Sequence, residues 1–470
     1  MSVPNTHFGK KRIEEMLKDC KSVYFIGIGG INMSSLAHMT HNGGYTVGGS
    51  DRTPSELTRR LEQRGIKVNY GHLSGNAENY DAFVYTVAIS EDNPEYRYAQ
   101  DMGKPCISRA DYMGYIMTRY KTRIGISGMH GKSTCTSMCA EILLGCDSQP
   151  TVLSGAELPA MGGAYCVGDS DNFVFEACEY MDSFLDFNPT VAVILNIEMD
   201  HVDYFKSMEH IRRSFGSFAD ITGRNGYAVY NADDADVLQA LSSYEGNRMD
   251  FSVSREDAFL RAVNIAEFDG KYSFDVLREG KMLCHIDLRV SGYYNIYNAL
   301  AAIGACLLAG VSPEDMERGL NGFCGACRRM EYKGNVGGGE VFDDYGHHPT
   351  EIAATLAGAR AMTKGRLTCV YQPHTYSRTA ALFEEFAAAF DCCDRVIFVD
   401  IYAAREQNVY GVSSQMLAQR VGDKACYAKS FEEAADMITA DTRVGDTVVV
   451  MGAGDVWRVF DSLVFDESDI

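Results

Sequence analysis

The sequence predicts an α/β protein of three successive modules, each a parallel sheet covered by helices. Short β-branched runs alternate with helical patterns of about ten to fifteen residues, which is the pattern parallel sheets produce. Glycine-rich turns follow apolar strands at 27–34 and 128–134, and a late strand ends in Gly452-Ala453-Gly454-Asp455. A length of 470 residues leaves room for two to four domains at roughly 100–200 residues each. Boundaries near 120 and 328 divide the chain into 1–120, 121–327 and 328–470.

Composition narrows the function classes. An apolar share of 46% and a charged share of 23% provide a sizeable core and exclude wholesale disorder. The net charge of −21 argues against a protein that coats nucleic acid or anionic membrane. Anionic ligands therefore need locally gathered cations. The N-terminal stretch has no apolar secretion run, and the longest apolar helical pattern, 299–310, is too short for a span of about 20 residues. A cytoplasmic protein without stable membrane insertion is expected. The 15 cysteines are scattered, and some lie inside apolar elements (Cys306, Cys369), as free thiols in a reducing compartment do. Cys324-Gly-Ala-Cys327 has no second pair nearby, so a zinc site is the lesser reading there.

The first module opens with the strand Val23–Ile26, which runs into Gly27-Ile28-Gly29-Gly30-Ile31-Asn32-Met33-Ser34. Gly27 and Gly29 fit a tight strand-to-helix turn whose amides attract a phosphate, although Asn32 stands where a full dinucleotide signature has its third glycine. Asp51 ends the second strand, where an acid can bond a ribose hydroxyl. A nucleotide or nucleotide-sugar diphosphate is the functional reading. NAD is the competing ligand, and glycines used only for chain packing are the plainer alternative.

The second module carries the stronger signal. The strand Arg123–Ile126 runs into Ser127-Gly128-Met129-His130-Gly131-Lys132-Ser133-Thr134, and a helix follows with Cys135, Met138 and Ile142 on one face. A triphosphate loop needs glycines for amide contact, a lysine for the β and γ phosphates and a hydroxyl for Mg²⁺. Gly131-Lys132-Ser133 supplies all three in a shortened variant of the motif. Hard oxygen ligands for the metal are candidates at two later strand ends, Glu176 with Glu179, and Asn196-Ile197-Glu198-Met199-Asp200-His201.

In the third module Pro349 and Thr350 open a helix with Ile352, Leu356 and Ala359 along it, placing His347 and His348 at its N-terminus. Gln372-Pro373-His374-Thr375-Tyr376-Ser377-Arg378-Thr379 follows the strand Leu367–Tyr371 and precedes a helix with Leu382, Phe386 and Phe390 on one face. That stripe is core. Arg328-Arg329 at the second junction can reach phosphates.

Taken in order, these motifs resemble those of the Mur ligases, ATP-dependent amide-forming enzymes of peptidoglycan precursor synthesis. The resemblance runs essentially end to end. It also takes in Ser183-Phe184-Leu185, Asn295-Ile296-Tyr297-Asn298-Ala299 and Asp343-Asp344-Tyr345-Gly346-His347-His348-Pro349-Thr350-Glu351. It implies a Rossmann-like UDP-sugar domain, a central P-loop ATPase domain and a C-terminal Rossmann-like domain that brings the amino acid. The implied reaction joins L-alanine to the lactyl carboxylate of UDP-N-acetylmuramate through an acyl phosphate, with ATP and Mg²⁺, in a monomer or weak homodimer.

By the same resemblance Gly27, Gly29, Gly30, Ser34 and Asp51 bind the UDP-sugar. The ATP set is Gly128, Met129, His130, Gly131, Lys132, Ser133, Thr134, Asn295, Asn298 and Arg329. Ser133, Glu176 and His201 surround the metal, and Lys132, His348 and Arg378 serve catalysis, the last two toward the incoming alanine. The chain departs from its relatives at Met129, at Tyr293-Tyr294 and at Thr375, where some carry arginine. A ligase that attaches a whole peptide to the same sugar, a catalytically silent UDP-sugar-binding scaffold and an NAD-dependent oxidoreductase are the alternatives. Intact Lys132, Ser133, Glu176 and His201 speak against the scaffold, and the second glycine turn speaks against the oxidoreductase.

Overall fold

A computed structural model describes residues 3–466 apart from 147, 202, 203 and 405. The chain forms two compact units. The first takes in the chain up to Ile197 with Glu209–Asp250 and Ala301–Ser312; the second takes in Glu198–Met208, Phe251–Leu300 and the chain from Pro313 onward.

The first unit holds two sheets. Strands β1 (Ser22–Ile26), β2 (Thr46–Asp51), β3 (Lys67–Tyr70), β4 (Ala82–Tyr85) and β5 (Cys106–Ser108) lie in the order β3-β2-β1-β4-β5, with every pairing parallel. The order reverses beside β1, so the crevice of this sheet opens at the Gly27 turn, as in doubly wound sheets generally. The second sheet is centred on β6 (Thr122–Ser127). On one side stand β9 (Asn172–Glu176), β7 (Thr151–Leu158) and β8 (Gly163–Cys166); on the other stand β10 (Val191–Ile194), β11 (Tyr227–Asn231) and the start of β12 (Asn247–Ser252). Both direct neighbours of β6 run parallel to it. Every residue of β1 and β10 is buried, which explains why these strands read as unbroken apolar runs rather than alternating ones.

The second unit contains a meander that sequence reasoning did not foresee. Strands β13 (Leu260–Phe268), β14 (Lys271–Arg278) and β15 (Lys281–Ser291) pair antiparallel through the turns Asp269-Gly270 and Glu279-Gly280, all four turn residues having positive φ. Its other sheet joins β16 (Glu331–Val336), β17 (Gly339–Asp344), β18 (Leu367–Tyr371), β19 (Arg395–Phe398), β20 (Ala425–Tyr427) and β21 (Thr447–Met451) in the order β16-β17-β21-β18-β19-β20. Alternate residues of these strands feed two cores. Cys369, Tyr371, Val449 and Met451 pack with Ile352, Leu356, Phe386 and Phe390, whereas Val370, Val448 and Val450 pack with Ala434 and Ile438. The Phe386–Phe390 stripe is therefore core, as expected. Its helix is interrupted: Leu382 separates Tyr376–Ala381 from Phe383–Ala388. Among the described residues, no helix is long and apolar enough to cross a membrane.

Candidate active site

The Gly27 turn joins β1 to the helix Ile31–Asn42. Gly27 and Ile28 donate their amides to Ser50 O at 2.8 and 2.9 Å, so the end of β2 pins the turn. Asp51 Oδ2 accepts from Gly29 N at 2.8 Å, and a Cβ on Gly29 would stand 2.8 Å from that same oxygen. Only glycine permits this approach. Beneath the turn, Glu95 is fully buried and accepts from Ser50 Oγ at 2.5 Å, Tyr24 OH at 2.9 Å and Asn76 Nδ2 at 3.2 Å, with His72 Nδ1 at 2.9 Å. Ser34 departs from its expected place on the cradle. It is fully buried, and its hydroxyl donates to Ile31 O, because a first-turn serine can satisfy itself on its own helix.

The triphosphate-type loop leaves β6 and enters the helix Lys132–Gly145 through Gly131, whose φ of 84° is one that L side chains rarely adopt. Lys132 Nζ donates to Gly128 O at 2.5 Å and Met129 O at 3.0 Å and lies 3.0 Å from Glu179 Oε2. Burial works against its charge, but Glu179, Cys178 and Glu176 outweigh burial and hold the ammonium above its ordinary pKa. Ser133 Oγ donates to Glu176 Oε2 at 2.9 Å, which also accepts Gly155 N at 2.7 Å. Hydroxyl and carboxylate side by side are the hard donors a Mg²⁺ ion on phosphates prefers. Asn196 fastens the loop from β10: its Oδ1 accepts His130 N at 2.8 Å and its Nδ2 donates to His130 O at 3.0 Å. Glu176 ends β9 and Asn196 follows β10, which flank β6 rather than pair with each other.

In the second unit the histidines sit at the helix Pro349–Met362 as expected. His348 is the N-cap: its Nδ1 accepts from Thr350 N at 3.4 Å, which places the ring proton on Nε2. Glu351 Oε2 accepts from both His347 N and His348 N, completing a capping box. Burial pushes His347 down to about 4, leaving a neutral imidazole. Arg378 lies in the helix Tyr376–Ala381, whose start is fixed by Thr375 N donating to Tyr402 O and by Ser377 N donating to Glu406 at 2.9 Å. Arg378 Nη2 donates to Asp200 Oδ1 at 3.3 Å, with both side chains nearly buried. Burial alone would raise Asp200, but Arg378, His201 and His348 hold its carboxyl well below the usual range.

Arg328 Nε lies 3.2 Å from Asp343 Oδ2, and Arg329 stacks 5.4 Å over Tyr345. Asp344 accepts from Met330 N at 2.9 Å and Gly346 N at 2.8 Å; burial pushes both aspartates up to about 6 against these arginines. Asn295 Nδ2 donates to Ser291 O, and Asn298 Nδ2 donates to Asn295 Oδ1, so the two amides form a buried chain in the first turn of the helix Tyr294–Leu308.

Residues 22–121, 126–306 and 328–454 match three family models: Mur ligase family, catalytic domain; Mur ligase middle domain; and Mur ligase, glutamate ligase domain. The UDP-N-acetylmuramate–L-alanine ligase of Acetivibrio thermocellus is 43% identical over 451 residues, covering 95% of this chain and 96% of that protein. The chain belongs to the Mur ligase family. Among solved structures, the UDP-N-acetylmuramate–alanine ligase of Thermotoga maritima superposes with a TM-score of 0.77 at 26% identity, covering 94% of this chain and 98% of that one. A murein peptide ligase of Psychrobacter arcticus shares the fold with a TM-score of 0.69 at 23% identity, covering 94% and 98%.

This Mur ligase gathers Gly128, Lys132, Ser133 and Glu176 around one loop in the first unit, and in the second it sets His348 after β17 and Arg378 after β18, strands that both pair with β21. His201, expected beside Glu176, lies in the segment Glu198–Met208 that belongs to the second unit. Four groups take parts that the motif reading did not give them: Glu179, Asn196 and Asp200, named there as candidate metal ligands, bind Lys132, the loop and Arg378, and Asp344 feels the charge of Arg329. Asn196 and Asp200 stand in the acidic run after β10, where the strand end was a visible signal. Asp344 was visible only as part of the polar run that begins at the end of β17.

Proposed function

We propose that this Mur ligase joins L-alanine to the lactyl carboxylate of UDP-N-acetylmuramate, using ATP. The observation that carries the reading is the naming of its relatives: proteins 40–43% identical over 93–95% of this chain are UDP-N-acetylmuramate–L-alanine ligases. In this reading residues 1–120 bind the UDP-sugar, 121–327 bind ATP and 328–470 receive the amino acid, in the cytoplasm, where 15 free thiols persist.

The carboxylate attacks the γ-phosphorus, giving an acyl phosphate and ADP. The amine then attacks the acyl carbon, and phosphate leaves with formation of the amide. Such chemistry rests on positioning and charge stabilisation. Lys132, already oriented by two carbonyls and Glu179, is the cation for the migrating phosphoryl group. Ser133 and Glu176 offer the oxygen donors that would hold Mg²⁺, which neutralises phosphate charge when bound. Gly27, Gly29, Gly30 and Asp51 take the UDP diphosphate and ribose, with Asp51 moving from Gly29 N to a hydroxyl. Asn295, Asn298 and Arg329 serve the nucleotide, and His201 joins the metal set. Arg378 clamps the alanine carboxylate, with His348 beside it.

The test is ADP release in the presence of UDP-N-acetylmuramate and ATP. The expected outcome is turnover on adding L-alanine and little on adding the tripeptide; the reverse preference would assign the chain to peptide attachment.

A further inference from the structure

An α-amino acid reaches this enzyme as a zwitterion, and the proposed clamp accounts for only half of it. Arg378 meets the carboxylate. The ammonium group, carried out of water beside it, needs an anion of its own, since an unpaired buried charge costs several kcal/mol.

The acids of the second unit can be taken in turn. Glu351 is spent on the backbone amides of His347 and His348, Glu406 on Ser377 N and Oγ, and Asp344 on Met330 N and Gly346 N. Glu198 Oε1 accepts from Thr350 Oγ1 at 2.6 Å. Asp200 is the acid that touches Arg378, and it does so through a single bond from Nη2 at 3.3 Å. Among the described residues, Nε and Nη1 of Arg378 have no hydrogen-bond partner, and Asp200 takes only one hydrogen of Nη2; the other, with the free nitrogen beside it, leaves a fork that can hold a second carboxylate through two parallel bonds. A substrate carboxylate there sets its own ammonium next to Asp200, closing a ring of alternating charges around the guanidinium.

We propose that Asp200 receives the ammonium group of the amino-acid substrate while Arg378 holds its carboxylate. The assignment rests on the reading of the chain as an alanine ligase with Arg378 as its clamp. It explains why a fixed anion stands beside a clamp meant for an anion: the pair neutralises itself when empty and offers both charges to a zwitterion. Because Asp200 is one residue from His201, the same segment would present the amine and the proposed metal ligand together.

Asp200→Asn keeps the shape and removes the charge. At saturating ATP and UDP-N-acetylmuramate it should raise the KM for L-alanine by about ten- to hundredfold, the worth of one charge-assisted hydrogen bond, and lower kcat far less. Propionate has the carboxylate without the ammonium, and its inhibition constant against L-alanine should stay within about twofold, the scale of a contact that is not made. Asp200→Glu, which restores the charge, should recover most of the alanine KM. Equal weakening of propionate and L-alanine would overturn the assignment and make Asp200 a prop for Arg378. Tighter L-alanine in Asp200→Asn would overturn it in favour of a competing anion, and an unchanged KM would overturn it outright. A wild-type enzyme with no L-alanine-dependent ADP release would instead overturn the functional reading, and the assignment with it.

Discussion

Lys132 and Arg378 are both nearly buried cations, yet they differ in what fixes them, and their variants should differ accordingly. Lys132 is held by two loop carbonyls and Glu179. Lys132→Ala should lower ADP release by about a hundred- to a thousandfold, the usual effect of deleting one charge-stabilising group. UDP-N-acetylmuramate binding, followed by calorimetry, should persist, because its diphosphate rests on the separate Gly27 turn. Loss of UDP-sugar binding in a folded variant would contradict that separation. Arg378 presents a planar fork that lysine cannot copy. Arg378→Lys should raise the KM for L-alanine by about one to two powers of ten, from roughly 1.5–3 kcal/mol of lost contact, and leave the KM for ATP and UDP-sugar nearly unchanged. Equal losses for all three substrates would mean that Arg378 serves domain closure.

At the level of elements, both phosphate-type turns are braced by side chains from neighbouring strands, and each brace makes a prediction. Asn196 ties β10 to the loop after β6 by two bonds to His130. Asn196→Ala should raise the KM for ATP by about tenfold, from roughly 0.5–1.5 kcal/mol per bond, with the KM for UDP-sugar steady. Beneath the first turn, burial would raise Glu95, but bonds from His72, Ser50, Asn76 and Tyr24 outweigh it and depress its pKa below 4.5. A depressed folded-state pKa gives stability that is present above the unfolded pKa of 4.5 and lost as pH falls through the folded value. Glu95→Gln should therefore cost roughly 1–3 kcal/mol in urea unfolding at neutral pH, and the gap to wild type should narrow in acid. An equal gap at both pH values would show that packing rather than charge is at stake. Apolar strands and the glycines after them were readable in the sequence because fully buried parallel strands are continuous apolar runs. The β13–β15 meander was not read, although Asp269-Gly270 is a hairpin signal, because its half-exposed strands interleave polar with apolar residues instead of forming unbroken apolar runs. The break at Leu382 was equally hidden, since a helical stripe keeps its period across a kink.

Across the whole molecule, a chain of net charge −21 that handles anions must concentrate its cations, and Lys132, Arg329 and Arg378 are where it does so. Motif spacing disclosed Lys132 and Arg378 because each follows a strand at the start of a helix, and Arg329 because it is one of an arginine pair at the second junction. It could not disclose the acids that orient two of them: Glu179 and Asp200 reach their partners across 47 and 178 residues of sequence. Nor could it reveal that Ser34 turns back onto its own helix, since hydroxyl direction depends on packing. The central claim is that the loop at Lys132 drives phosphorylation of a carboxylate, which an amino-acid amine then displaces. UDP-N-acetylmuramate carrying a heavy oxygen isotope in its lactyl carboxylate tests this directly. With ATP and L-alanine, each phosphate released should contain one labelled oxygen, because the bond that breaks is between the acyl carbon and that oxygen. Amide formation with unlabelled phosphate would contradict the account.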